Sequence, residues 1–266
     1  MPGLKRRLEP FIAAIAEVGM MAWDKGWAER NAGNISVDLS DEIGVSRREL
    51  ENYPRIKHAF PPKNMAGACI LVTRTGSRLR DIARSPEENL LLVRIADRLD
   101  GYNILWGGKR SDARPTSEFV AHTSIHAYMR RHGLLHRAIV HTHPTELVVL
   151  THTHKFRIER RLNRMLWSMH PEAKIFIADG IGYARYSLPG SNRLAQSTIE
   201  KLSEHRLVLW EKHGCIAVGP DVLEAFDLID TANKAAQIYL FARAAGLRPV
   251  GLTARQLRDL ARNFLK

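Results

Sequence analysis

Two histidines one residue apart, His141 and His143, close an apolar run that extends from Leu134 to Val140. In an extended strand, positions i and i+2 share a face, so this pair can aim two imidazole nitrogens at one point. A third histidine, His213, stands just beyond a second apolar run, Leu207 to Trp210. Three neutral imidazoles leave the full charge on a divalent cation and one coordination position open, the ligand set of a catalytic zinc rather than a closed structural one. His152 and His154 repeat the spacing, but they follow the helix-like stretch 145–150 and run into Lys155, which reads as solvated surface. The end of an apolar strand holds a side chain rigidly, and a metal site demands that of its ligands.

Small donor-rich turns supply a second chemistry. Asn31–Ala32–Gly33–Asn34, Thr75–Gly76 and Thr116–Ser117 each offer N–H or hydroxyl groups where the chain bends. The last pair lies beside a predicted helix N-terminus, whose partial positive charge favours an anion. Taken singly, each is also what an ordinary turn or helix cap uses, and Glu118 alone could be a first-turn carboxylate facing the helix dipole. Tyr102, Trp106, Trp167 and Trp210 stand beside apolar runs and read as packing.

Apolar spacing predicts the elements that must position these groups. A helix is expected over 8–25, a loop at 29–34 entering a strand at 35–39, and a buried strand over 68–73. A β-hairpin joins 90–95 to 102–106, a helix runs from 119 to about 131, and a strand covers 136–140. Helices near 144–150 and 158–168, a strand at 174–178, a helix at 192–204, strands at 206–210 and 214–218, and helices at 221–245 and 253–265 follow. The stretch 40–67, with Pro54, Pro61 and Pro62 and many charges, reads as an irregular insert. Hairpin links among helical crossovers predict a mixed sheet covered on both faces.

Composition narrows the class. At 266 residues and 45% apolar composition the chain can bury one large core, and a single domain over 1–266 is expected. The net charge of +12 is scattered, without a nucleic-acid motif or interleaved aromatics, so no nucleic-acid partner is expected. No run approaches the roughly 18 apolar residues of a bilayer span, so no membrane association and a cytoplasmic location are expected. Cys69 and Cys215 lie in separate apolar runs and read as buried reduced thiols.

The order of the segments carries a further expectation. Gly26–Trp27–Ala28–Glu29–Arg30–Asn31–Ala32–Gly33–Asn34, Pro115–Thr116–Ser117–Glu118, His141–Thr142–His143 and Trp210–Glu211–Lys212–His213–Gly214 resemble the pattern of the class II aldolase/adducin family over almost the whole chain. The resemblance implies an α/β fold, three-layer α/β/α with a central mixed, largely antiparallel sheet. It implies one Zn2+ per subunit on His141, His143 and His213, with Glu118 as catalytic acid/base. Asn31, Asn34, Thr75, Gly76, Thr116 and Ser117 match phosphate-pocket positions, Thr75 keeping the hydroxyl where relatives have serine. Glu172 matches a second acid that enters the site from a neighbouring subunit, which implies a homotetramer with sites at subunit interfaces. The implied reaction is reversible cleavage of a phosphorylated ketose, L-rhamnulose 1-phosphate, to dihydroxyacetone phosphate and L-lactaldehyde. L-fuculose 1-phosphate and L-ribulose 5-phosphate are the alternative substrates, and a non-catalytic adducin-like binding module is the alternative class.

Overall fold

The computed structural model describes residues 2–58, 62–108 and 112–265. In chain order the elements are α1 (Pro2–Asp24), β1 (Asn34–Asp38), α2 (Arg47–Leu50), β2 (Arg55–Lys57), β3 (Cys69–Thr73), α3 (Pro86–Asn89), β4 (Leu90–Ile95) and β5 (Gly101–Gly107). There follow α4 (Phe119–Arg131), β6 (Ala138–Thr142), α5 (Thr145–Thr151), α6 (Glu159–Met169), α7 (Pro171–Phe176) and β7 (Ile181–Ala184). The chain ends with α8 (Asn192–Leu202), β8 (Leu207–Trp210), β9 (Gly214–Gly219), α9 (Val222–Ala244) and α10 (Ala254–Phe264).

The strands form a nine-stranded sheet in the order β2-β5-β4-β3-β1-β6-β9-β8-β7. Neighbours are antiparallel except β7 and β8, which run parallel through the α8 crossover. Alternation along each strand sends side chains to two opposite cores. Cys69 and Leu71 of β3, Ala138 and Val140 of β6, and Leu207 and Leu209 of β8 pack with α1, α5, α6 and α9. On the other face, Ile70 and Val72 meet Phe119 and Ala127 of α4. There too, Ile139, Val208 and Ile216 meet Ile125 and Met129 of α4 and Leu194 of α8. The result is the expected three-layer α/β/α arrangement with a mixed, largely antiparallel sheet.

The structure corrects two expectations. Residues 174–178 are not a strand: α7 covers Pro171–Phe176 and the strand comes later, at Ile181–Ala184. Pro171 at the first helical position pre-sets helical φ, and Ala173 and Ile177, one helical turn apart, are the buried members of the run while Phe176 is exposed. A short apolar run fits either period, and the proline was the deciding signal. The stretch 40–67 is also partly regular. Ser46 and Glu49 close a capping box on α2, and β2 pairs with β5 as the sheet's edge strand. Residues 59–61 of that stretch, Pro61 included, lie outside the described residues.

His152 and His154 are exposed, as their setting predicts, and Cys69 and Cys215 are free and buried. No helix among the described residues is long and apolar enough to cross a membrane.

Candidate metal centre and active site

Strand register assembles the site. β6 lies between β1 and β9, with His141 opposite Asn34 on one side and Ile216 on the other. His141 shares its sheet face with Ile139, so its ring points toward α4. His143 follows the strand end, where its N–H donates to the Trp27 carbonyl at 2.9 Å. His213 stands in the β8–β9 turn beside Lys212, a non-glycine residue at φ 59° whose N–H is held by Thr151 Oγ1 at 2.9 Å. Backbone held in that left-handed region is a form of strain that tends to collect at functional turns.

The three imidazoles close a nearly equilateral triangle. Ring centroids lie 5.1 Å (His141–His143), 5.0 Å (His141–His213) and 5.1 Å (His143–His213) apart. One ring nitrogen from each falls within 4.8 Å of the others. Gly214 makes the approach possible: a Cβ there would stand 2.5 Å from the Thr142 carbonyl oxygen, 2.7 Å from His143 Cδ2 and 3.1 Å from His141 Cε1. The Trp210 ring lies against His141 and His213, with centroids 4.6 and 5.1 Å away, and its indole N–H donates to Thr198 Oγ1.

Glu118 stands at the N-cap position of α4, where its side chain makes no capping bond, and is only 5% exposed. Its Oε2 lies 3.4 Å from His141 Nε2 and its Oε1 3.7 Å from His213 Nε2, both long for hydrogen bonds. Oε2 accepts instead from Asn34 Nδ2 at 2.8 Å.

The hydrogen-bond inventory shows that these residues fit a cation. His141 Nδ1 must donate to the Cys215 carbonyl at 2.8 Å, and His143 Nδ1 faces the Glu29 carboxyl at 2.8 Å. The Nε2 atoms of both rings are thereby left to face the cluster, and His143 Nε2 is buried with no hydrogen-bond partner among the described residues. Burial, reinforced by His143, pushes the His141 pKa down to about 3, and burial with His141 nearby pushes His213 down to about 4. Protonation is thus no remedy for lone pairs crowded against a carboxyl group. A divalent cation is, and neutral imidazole nitrogens oriented by outer hydrogen bonds suit zinc.

The donor-rich turns gather nearby. An isolated bridge pairs Arg74 with Pro115, Thr75 N–H donates to the Arg114 carbonyl at 2.9 Å and Thr116 N–H to the Thr73 carbonyl at 2.9 Å. Thr75–Gly76 and Thr116–Ser117 therefore lie side by side, with Thr75, Gly76 and Ser117 exposed. Ile35 N–H donates to Thr73 Oγ1, tying this pair of turns to β1, at whose start Asn31 is exposed and Asn34 buried. Gly33, at φ 80°, lets the loop pass the His141 carbonyl, which a Cβ would meet at 3.0 Å.

Residues 13–240 match the family model for the class II aldolase and adducin N-terminal domain. The chain belongs to the class II aldolase and adducin family. It is 38% identical over 251 residues to a rhamnulose-1-phosphate aldolase of Bacteroides thetaiotaomicron, a match that covers 94% of this chain and 92% of that protein. It is 35% identical over 257 residues to the rhamnulose-1-phosphate aldolase of Yersinia pseudotuberculosis, covering 96% and 93%. Among solved structures, a sugar-phosphate aldolase from Thermotoga maritima superposes with a TM-score of 0.76 at 33% identity, covering 91% of this chain and 98% of that one.

In this member of the family, the residues gathered at Glu118 are Asn34, His141 and His213, and Glu172 is not among them. It sits on α7, which packs on α6, α9 and α10, and its carboxyl group meets His170 Nδ1 at 2.9 Å. Sequence reasoning missed Glu29, which orients His143 across 114 residues of chain, and Gly214, whose missing side chain admits two rings of the histidine cluster. Trp210 belongs to the packing, as expected, but it also forms one wall of the histidine cluster. Glu29 lay within the motif that carries the resemblance. Its role needed the loop to be folded back on β6.

Proposed function

We propose that the protein is a zinc-dependent aldolase that reversibly splits L-rhamnulose 1-phosphate into dihydroxyacetone phosphate and L-lactaldehyde. The observation that carries this reading is the convergence of three imidazoles beside a buried carboxyl group, with His143 Nε2 buried among them and without a hydrogen-bond partner among the described residues. Full-length likeness to rhamnulose-1-phosphate aldolases supports the substrate.

Cleaving the C3–C4 bond leaves negative charge beside a carbonyl. His141, His143 and His213 would hold the zinc, which when bound supplies Lewis acidity worth several kcal/mol to the charge developing at the ketone. Glu118, beside that position and steadied by Asn34, returns a proton to C3 to release dihydroxyacetone phosphate, and removes it in the synthetic direction. Positioned proton transfer of this kind contributes roughly 10²–10⁴-fold. Asn31, Asn34, Thr75, Gly76, Thr116 and Ser117 grip the phosphate, so that binding energy from a non-reacting group orients the reacting carbons. Glu172, exposed on α7, serves the C4 hydroxyl in a neighbouring subunit's site of a homotetramer. The whole chain acts as one domain, and its two free buried cysteines suit the reducing cytoplasm.

Replacing His143 with alanine tests the reading by zinc content and ketose-phosphate cleavage, both of which should be lost together. Full turnover in a zinc-free variant would refute it. Assay of the wild type on L-rhamnulose, L-fuculose and L-ribulose phosphates checks the substrate.

A further inference from the structure

Behind Glu118 runs a buried chain of polar groups whose donors and acceptors take one direction when Glu118 is a carboxylate. β1 presents Asn34 and Ser36 to α4, two residues apart on one strand face, and α4 answers with Glu118, His122 and His126, each four residues apart on one helix face. All five are buried, Ser36 and His122 completely.

The assignment starts at the carboxyl group. A carboxylate oxygen only accepts, so the Asn34 NH2 faces Glu118 Oε2 at 2.8 Å and its Oδ1 faces away. Oδ1 carries no hydrogen, so His122 Nε2, 2.5 Å away, must donate to it. Burial keeps the His122 ring neutral, leaving Nδ1 a bare acceptor, and Ser36 Oγ at 2.6 Å donates its one hydrogen there. Ser36 then accepts from His126 Nε2 at 2.8 Å. That leaves His126 Nδ1 with a lone pair, and it is the nitrogen of this series that has no partner among the described residues.

We propose that His122 and Ser36 are positioning residues for Glu118: they hold the Asn34 amide with its NH2 toward the carboxyl group and so fix where that carboxyl group stands beside the histidine cluster. The inference rests on the aldolase reading for its catalytic consequence. Without the Nε2–H of His122, the amide can rotate and present Oδ1 to the carboxylate, acceptor against acceptor. Without the Ser36 hydroxyl, the imidazole can adopt the other tautomer and lose the same donor. A merely structural cluster would affect stability alone. Loss of a positioning chain lowers kcat by more than it changes KM and leaves zinc content in place.

The test uses the full-length, zinc-loaded protein. Ser36→Ala and His122→Leu are expected to lower kcat about ten- to hundredfold, with a smaller change in KM through the Asn34 contact to the phosphate. His122→Gln, whose amide N–H can replace the ring Nε2–H, is expected to recover most of that loss. Solid-state NMR of 15N-histidine-labelled wild type, with His122 assigned by its disappearance in His122→Gln, should show the Nε2–H tautomer and needs no variant to be active. Wild-type kcat in Ser36→Ala, or the Nδ1–H tautomer at His122, would overturn the inference. A wild type unable to cleave any sugar phosphate would defeat the aldolase reading, while the tautomer would still decide the direction of the chain.

Discussion

Adding a single methyl group at Gly214 should damage the candidate metal centre without replacing any of its three histidines. A Cβ there would lie 2.5 Å from a backbone oxygen of β6 and 2.7 Å from His143 Cδ2, roughly 0.9 and 0.7 Å inside ordinary contact. The backbone φ is not in the left-handed region, so alanine is conformationally allowed and the penalty is steric alone. The carbonyl belongs to the β6–β9 ladder and cannot swing aside, so β9 and the histidine rings must separate. Overpacking of this kind costs about 1–3 kcal/mol, and displaced ligand geometry weakens a metal site about 10–100-fold. Gly214→Ala is therefore expected to bind zinc at least tenfold more weakly in competition with a chromophoric chelator, with reduced thermal stability. Gly44→Ala, where a Cβ would meet nothing within 4 Å, is the control. Zinc affinity in Gly214→Ala equal to that of wild type would refute the argument that this glycine is required by the rings' close approach.

Glu29→Ala removes the acceptor that orients His143. Because Glu29 is largely exposed, the loss of zinc affinity should fall near the low end, about tenfold, by the same competition assay. Burial would raise the Asp38 pKa, but hydrogen bonds from Arg130 and Ser40 and nearby positive charge leave it below the ordinary 3.8. Its contribution to stability is thus full above pH 3.8 and is lost as pH falls through the lower folded value. Denaturant midpoints should show wild type ahead of Asp38→Asn at pH 6, with the gap closing below pH 4. If Glu172 serves a neighbouring site, inactive Glu172→Ala and His143→Ala proteins, unfolded and refolded together, should regain cleavage activity that neither shows alone. Failure to regain any would remove Glu172 from the mechanism.

The pair His141 and His143 was legible in the sequence because its convergence is local, whereas His213 lies far along the chain beyond a second apolar run. His141 and His143 are held together by the two-residue period of a strand, and His213 by the hairpin that returns β9 beside β6. Most of the strands were legible for the same reason. The exceptions are β2, which lies in the stretch read as irregular, and β7, expected at 174–178, where Ala173 and Ile177 satisfy a helical period as well as a strand and Pro171 decided between them. What surrounds the ligands was decided only by tertiary structure. Glu29 reaches His143 across 114 residues, Asn34 reaches Glu118 across 84 and Ser36 reaches His122 across 86. None of these pairs has a characteristic spacing, since each depends on which strands become neighbours and on how α4 lies across β1. A covalent period can put two side chains on one face, but only the packed sheet determines which buried donor finds which acceptor.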